Sequence, residues 1–402
     1  MSLLHTIFKY LGLNNKNKVE PSIIWNLNSN SLSHIPLIIQ IQEGLPNSIE
    51  KKLSKIGCKD IKYFPIIHGF YLISPLSRLK EIINMPFLDY MSMNHKVFAL
   101  MNNITETLGS NQMNKLGVTG RGITIAHLDT GIHPHADLTR PRNRILYFKD
   151  FIHNKSTAYD DHGHGTYCAG CIAGNGELSE RQFKGIAPNA LLIGLKCLDE
   201  GGTGDIKSTL EALQWVLDNS QKYKIRIVHI PFGVNNPYLV EQDPLVKAVE
   251  RLWQEGIVVV CASGNSGPQK ASISSPGSAE KVITVGCSTK NSYSEICNFS
   301  SRGPTLNGIH KPDLLAPGIN IISTNRDTAF KGQSQYISFS GTSVSSSIVT
   351  GAVALLLEKY PTLTPEEVKL ALEMSCNSLH LEKNIQGKGL LDIEKLLSMD
   401  LR

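Results

Sequence analysis

The stretch Gly122-Ile123-Thr124-Ile125-Ala126-His127-Leu128-Asp129-Thr130-Gly131 runs from a glycine, through an almost unbroken apolar segment, into an Asp-Thr-Gly turn. Such a run, bounded by glycines, predicts a strand buried on both faces over Gly122 to Asp129, with a carboxylate at its end. Comparable runs follow at Ala190 to Leu198, Ile225 to Phe232, Ile257 to Ala262 and Val282 to Gly286. Asp205 to Gln221 and Asp243 to Glu255 lie between them with amphipathic helical spacing. Strands alternating with helices predict an α/β fold with a mainly parallel sheet covered on both faces. Open sheets of this kind bind ligands beyond the carboxyl ends of their strands, where Asp129 and Asn265 are expected.

The first hundred residues follow another pattern. Pro36 to Gln42 reads as a strand, Ser48 to Ile56 as a helix, and Ile61 to Ser74 as two strands turning at His68-Gly69. Leu76 to Asn84 is again helical and Tyr90 to Leu100 extended. The order β-α-β-β-α-β is that of a small split βαβ module. The polar stretch Met101 to Gly122 is the natural boundary, which divides the chain into residues 1–105 and 106–402.

The chain has 402 residues, 41% of them hydrophobic and 19% charged, and can bury a large core. Its net charge of +5 is scattered and forms no basic block, so no nucleic-acid partner is expected. No run of about 18 apolar residues predicts a membrane span. Met1 to Leu11 has helical apolar spacing, but His5 and Lys9 interrupt it and no cationic n-region precedes it. It reads as a short packing helix and not as a secretory signal, and the expected compartment is the cytoplasm. Eight cysteines are then expected to be reduced, with Cys168, Cys197, Cys261 and Cys287 acting as small hydrophobes in apolar runs. Cys168 and Cys171 have C-x-x-C spacing, but no second pair completes a zinc site.

Four short motifs carry chemistry. Asp129 lies in Asp-Thr-Gly, His164 in Gly-His-Gly-Thr, Asn265 in Gly-Asn-Ser-Gly-Pro and Ser343 in Ser-Gly-Thr-Ser. A serine hydroxyl needs a base, and imidazole titrates near neutrality. A carboxylate then orients that imidazole and stabilises its charged form. Ser343 therefore reads as nucleophile, His164 as general base then acid, and Asp129 as orienter. Gly341-Thr342-Ser343 precedes the long apolar run Val344 to Leu357, so the hydroxyl is expected at a helix N-terminus, which favours developing negative charge. The loop-borne Asn265 amide reads as the oxyanion donor.

Other readings exist for the same residues. Asp-Thr-Gly also serves aspartic peptidases, but no second copy supplies a carboxylate pair. His133, His135, Asp160, Asp161, His162 and His164 offer H-x-H pairs suited to a metal, a reading that leaves Ser343 and Asn265 idle. Ser343 alone would read as a helix N-cap.

The motifs together, with Phe299-Ser300-Ser301-Arg302-Gly303-Pro304 and Lys311-Pro312-Asp313-Leu314-Leu315-Ala316-Pro317-Gly318, resemble those of the subtilisin-like serine peptidases over about Gly120 to Leu391. The resemblance is closest to the intracellular AprX-type alkaline branch. It implies a three-layer α/β/α fold, endopeptidase activity on peptide or protein substrates through an acyl-enzyme, and an N-terminal prodomain that occupies the cleft. It further implies that Gly202 and Gly204, within Gly201-Gly202-Thr203-Gly204, bind substrate backbone. Phe232 and Gly233, with Ala262, Ser263 and Gly264, would wall the pocket for an apolar or aromatic residue before the scissile bond. Cys168 resembles a buried cysteine of proteinase K-like members, where a mercurial would inhibit; core packing is its plain alternative.

The chain also departs from the family pattern. Val344-Ser345-Ser346-Ser347 stands where Met-Ala-Ser/Thr-Pro is usual. Ile230-Pro231-Phe232-Gly233-Val234 replaces a Ser-Leu-Gly-Gly segment, removing one N–H at Pro231 and one conformationally free residue at Val234. A cleft narrowed on that side is expected, and with it an alternative function: a catalytically impaired protein of the same fold that only binds peptides. No cofactor is expected to be required. Calcium is conceivable, but the loop Asn175 to Lys184 holds no recognisable site, and no metal ligand is assigned.

Overall fold

A computed structural model describes residues 18–20, 22–23, 33–42, 46–99, 117–234, 240–289, 296–326 and 334–401. The expected helix at Met1 to Leu11 lies outside them, as does most of the boundary stretch after Leu100. The chain forms two compact units, Met1–His95 and Lys96–Arg402.

The first unit contains β1 (His34–Ile41), α1 (Pro46–Lys55), β2 (Lys59–Phe64), β3 (Gly69–Pro75), α2 (Leu79–Ile83) and β4 (Leu88–Met93). Its strands form one antiparallel sheet in the order β2-β3-β1-β4, which is the β-α-β-β-α-β pattern read from the sequence. Ile35, Leu37 and Ile39 of β1 alternate towards one face. There they meet Leu53 of α1, Phe70 and Leu72 of β3 and Ile82 of α2 in a single buried cluster.

The second unit begins with β5 (Lys96–Ala99), so it takes in residues that the sequence reading gave to the first module. It continues with β6 (Thr124–Asp129), α3 (Ala136–Thr139), β7 (Ile145–Asp150), α4 (His164–Ala173), β8 (Leu191–Lys196), β9 (Thr203–Asp205) and α5 (Ile206–Tyr223). Next come β10 (Ile225–Ile230), β11 (Phe232–Gly233), α6 (Pro244–Gln254), β12 (Val258–Ala262), β13 (Ile283–Ser288) and β14 (Leu314–Pro317). The unit closes with β15 (Ile321–Thr324), β16 (Tyr336–Phe339), α7 (Thr342–Lys359), α8 (Pro365–Ser375), β17 (Cys376–Asn377), α9 (Lys383–Gln386), β18 (Leu390–Leu391) and α10 (Ile393–Ser398).

Nine strands form the central sheet in the order β17-β18-β14-β13-β12-β10-β6-β8-β7, parallel except for the β17–β18 pair. β6, β10 and β12 are buried along almost their whole length, which is why they read as continuous apolar runs. The helices start where local chemistry predicts. Asp205 and Ser208 form a reciprocal capping box on α5, and Asp243 caps α6 ahead of Pro244. β7, β14 and the β15–β16 hairpin were not foreseen. They are short or carry mixed polarity, so their sequences show no clear period.

The cysteine reading needs one correction. Cys287 and Cys297 are joined in a disulfide, with their Cα atoms 5.5 Å apart. The Cys297 N–H donates to the Cys287 carbonyl, so backbone pairing brings the two sulfurs together, a proximity that spacing alone does not reveal. The other six cysteines are free and buried. Among the described residues no helix is long and apolar enough to cross a membrane.

Candidate active site

Asp129 is the last residue of β6 and His164 the first of α4, and both are fully buried. The His164 Nδ1 lies 2.7 Å from Asp129 Oδ1 and 2.9 Å from Oδ2. This approach requires a glycine beside it. A Cβ at Gly165 would strike the Gly131 carbonyl oxygen and sit 3.1 Å from the Asp129 Cβ. Burial alone would raise the carboxyl of Asp129. The charge and hydrogen bond of His164, with His127 and the Thr130 N–H, outweigh it and hold the group at about 2.

Asp160 locks the two motifs together. Its Oδ1 accepts the Thr130 hydroxyl (2.9 Å) and the N–H groups of His162 (3.1 Å) and Gly163 (2.7 Å). Its Oδ2 accepts the N–H (2.8 Å) and hydroxyl (2.6 Å) of Thr166. The Thr130 hydroxyl in turn accepts from the Gly165 N–H at 2.9 Å. The sequence reading considered Asp160 only as a metal ligand. In the structure its lone pairs are occupied by donors, and Asp161 is bound to the buried Lys196 ammonium at 2.6 Å.

Ser343 is the second residue of α7 and is 1% exposed. Asn265 follows the end of β12 by three residues, and its Oδ1 accepts both the Thr342 N–H (3.1 Å) and the Thr342 hydroxyl (2.9 Å). Those two donors fix the amide orientation, since only oxygen satisfies them. The Asn265 Nδ2 is thereby set on the opposite side, where it is buried without a hydrogen-bond partner. An unmet buried N–H costs about 1–3 kcal/mol, so a structure that keeps one calls for a reason.

α4 packs against α7. Cys168, one turn after His164 on α4, is fully buried. Its Sγ lies 3.8 Å from His164 Nε2, and burial holds the thiol well above its ordinary value. The unusual serine run also has a use. Ser345 donates to the Ala316 carbonyl (2.9 Å) and Ser347 to that of Ser343 (2.8 Å), and the Ser346 hydroxyl also lies 2.9 Å from the Ser343 carbonyl oxygen. These bonds pin the first turn of α7.

Of the remaining predicted residues, Gly204, Phe232 and Gly233 pair with β5. β5 lies antiparallel between β9 and β11, with Val97 opposite Gly204, Phe98 opposite Thr203 and Gly233, and Ala99 opposite Phe232. Val97 is buried and Phe98 is 51% exposed, so the strand turns alternate side chains in and out. A Cβ at Gly204 would lie 3.2 Å from Val97 Cγ2 and would strike the Cys197 carbonyl oxygen. Gly202 forms the turn before β9, its N–H donating to the Asp199 carbonyl at 3.0 Å. Ala262 ends β12, and Ser263 and Gly264 carry the chain to Asn265. Pro231 and Val234, from which a narrowed cleft is expected, flank β11, which pairs with β5. Val234 needs no positive φ, because it exchanges backbone hydrogen bonds with Ser275 (3.0 and 2.9 Å), and β11 remains free to pair.

Two groups of side chains among the described residues have metal-binding proximity: Asp129, His164 and Cys168, and at the surface His153, Asp161 and Glu200. The first is the hydrogen-bonded pair with a thiol that burial keeps protonated; in the second, Asp161 is bound by Lys196. His133 and His135 join neither group. His135 instead accepts the Asp137 N–H, 3.1 Å away.

The family model described as the subtilase family matches residues 120–389. The chain is 38% identical over 376 residues to "Serine protease AprX" of Bacillus subtilis (strain 168), an alignment covering 88% of this chain and 82% of that one. It is 33% identical over 279 residues to "Subtilisin Savinase" of Lederbergia lenta, covering 69% of this chain and 91% of the relative. The crystal structure of fervidolysin from Fervidobacterium pennivorans, described as a keratinolytic enzyme related to subtilisin, superposes with a TM-score of 0.72 at 18% identity. That match covers 93% of this chain and 62% of the other, and it speaks to the fold alone.

Proposed function

Because the chain belongs to the subtilase family and is a serine endopeptidase acting on peptides or proteins, we propose that Ser343, His164, Asp129 and Asn265 perform its hydrolysis. The observation that carries this assignment is the buried Asn265 Nδ2, held in place by Thr342 yet without a partner, beside the residue that begins the nucleophile's helix. It is the donor that a transient oxyanion would complete. In this mechanism Ser343 Oγ attacks the scissile carbonyl carbon while His164 Nε2 takes its proton. The positive charge formed on His164 is met by Asp129, already anionic and bonded at Nδ1. The carbonyl oxygen, now negative, accepts from Asn265 Nδ2 and from the N-terminus of α7. His164 then protonates the leaving amine, and the acyl-enzyme is cleaved by water activated in the same way.

The groove residues Gly202, Gly204, Phe232, Gly233, Ala262, Ser263 and Gly264 would then bind substrate as a strand added between β9 and β11. β5 supports this reading, because it already pairs with both edges in extended form. On the same ground we take the residues up to and including β5 as a prodomain whose last strand, β5, stands in for substrate. No metal or other cofactor enters the mechanism. A protein that only binds peptides would have no use for the unmet Asn265 donor, so that alternative is the weaker one.

The test is labelling with a fluorophosphonate. The purified chain is expected to be modified at Ser343, and Ser343→Ala to be unreactive and inert towards casein. Casein turnover by Ser343→Ala equal to wild type would overturn the assignment.

A further inference from the structure

Two histidines outside this machinery lie directly beneath it. His127, on β6 two residues before Asp129, and His229, its register partner on β10, are both fully buried. Their Nδ1 atoms are 3.0 Å apart. The ring planes differ by 18° and the centroids, at 5.1 Å, lie well outside the nitrogens, so the rings meet edge to edge as an N–H···N bond requires. His127 Nε2 lies 3.0 Å from the Gly165 carbonyl oxygen and 3.5 Å from Asp129 Oδ2. His229 Nε2 lies 3.0 Å from the Ser346 hydroxyl, which is itself 2.9 Å from the Ser343 carbonyl oxygen. The chain of contacts thus runs from the carboxylate to the nucleophile's own backbone.

Proton counting fixes its arrangement. Both neighbours of His127 Nε2 are pure acceptors, so that nitrogen must carry a hydrogen. A neutral His127 then has its lone pair on Nδ1, and His229 Nδ1 must be the donor. His229 Nε2 is left as an acceptor and takes the Ser346 hydroxyl proton. The hydroxyl has one proton for two acceptors, His229 Nε2 and the Ser343 carbonyl oxygen. Satisfying both at once needs one more proton on the imidazoles and a positive charge inside the core. Burial opposes that charge, pulling His127 below its ordinary value and His229 well below it. The charged or titratable groups facing the pair are Asp129 and Asp160, which favour the proton, and His164, which opposes it.

We propose that His127 and His229 are positioning residues for the hydrolytic centre, an interlocked neutral pair whose one allowed tautomer keeps the His127 Nε2–H turned towards Asp129 and Gly165. The role rests on the triad assigned above. Its content is that His229 acts through His127. Without the Nδ1 donor, His127 is free to turn a lone pair towards the Asp129 carboxylate, or to capture a proton there that competes with the one His164 must accept.

The experiment follows the rate of Ser343 labelling by a fluorophosphonate against pH in the full-length chain, for wild type, His229→Leu and His229→Gln, with melting temperatures recorded in parallel. His229→Leu is expected to label on the order of tenfold more slowly, a size typical of partners that orient a reacting group. Its acid limb should move to higher pH by about half a unit or more. His229→Gln, whose carboxamide restores a donor to His127 Nδ1, should recover most of the rate and the wild-type acid limb. In parallel, imidazole ¹⁵N spectra of Ser343→Ala are expected to show His127 protonated at Nε2 and His229 at Nδ1, both neutral across the pH range in which Ser343 is labelled. A folded His229→Leu that labels like wild type at every pH, a Gln variant no better than Leu, or the same tautomer at both histidines would overturn the proposal. These spectra decide even if His229→Leu fails to fold. Wild type that does not label at all overturns the hydrolase assignment, and the positioning role with it.

Discussion

Replacing Asn265 with alanine separates a catalytic donor from a structural one. The side chain makes two bonds through Oδ1, to the Thr342 N–H and hydroxyl, and none through Nδ2. Losing the two Oδ1 bonds leaves Thr342 donors unmet, at about 1–3 kcal/mol, but the variant also sheds a buried NH₂ that was itself unmet. These opposing terms leave a net stability change of about 1 kcal/mol, a few degrees at most in melting temperature. The kinetic effect is much larger. Nδ2 meets its partner only when the carbonyl oxygen becomes an anion, so its loss falls on kcat and leaves KM within a few-fold. Removing such a donor from a subtilisin costs about 3–4 kcal/mol, a value carried over here, and that corresponds to about 10²–10³ in kcat. The assay is steady-state hydrolysis of a chromogenic peptide, with thermal melts on the same samples. A kcat within tenfold of wild type, or a loss expressed mainly in KM, would refute the oxyanion role. A melting temperature lower by more than about 10 °C would show that Asn265 serves the fold instead.

Two further outcomes follow from the groove and the core. Gly204→Val places a branched side chain against Val97 and the Cys197 carbonyl, where the substrate strand would pair. It is expected to raise KM for peptide substrates about tenfold or more while fluorophosphonate labelling of Ser343 continues; unchanged KM would remove β9 from the binding edge. Lys311 is fully buried, and burial pulls its ammonium down to about 8, against an ordinary value of 10.5. Between those values the unfolded chain binds the proton that the native chain has released, so this residue's contribution to stability rises with pH across that window. The shift corresponds to an upper limit of about 3 kcal/mol. Other groups titrate in the same range, so the test is a difference. The melting temperature of wild type minus that of Lys311→Met should increase from pH 8 to 10.5, and a constant difference would refute the linkage.

Within the candidate site, what was readable follows from how local each signal is. Asp129, His164, Asn265 and Ser343 each lie in a glycine-flanked motif, because close backbone approach leaves no room for a Cβ. Gly165 shows the reason, with the Gly131 carbonyl where its Cβ would stand. β6, β10 and β12 were legible since burial on both faces writes itself as a continuous apolar run. Asp160 was misread, because a carboxylate that accepts three backbone N–H groups and two hydroxyls looks in sequence like any acidic residue near histidines. His127 and His229 passed unremarked within otherwise apolar strands. A polar ring in such a run was the signal that one strand must answer the other.

By itself, then, the sequence determined the alternation of buried strands and capped helices, and the residue types that hydrolysis requires. These are written in patterns a few residues long, where periodicity, glycine and side-chain chemistry act. Only the tertiary structure decided the rest. It joined Cys287 to Cys297, seated Lys96–Ala99 between β9 and β11, turned the Asn265 amide by means of Thr342, and put His127 against His229. Each of these joins residues from separate segments. Their positions depend on strand register and on which hydrogen-bond donors remain unmet after folding, and neither is a property of any single stretch of chain.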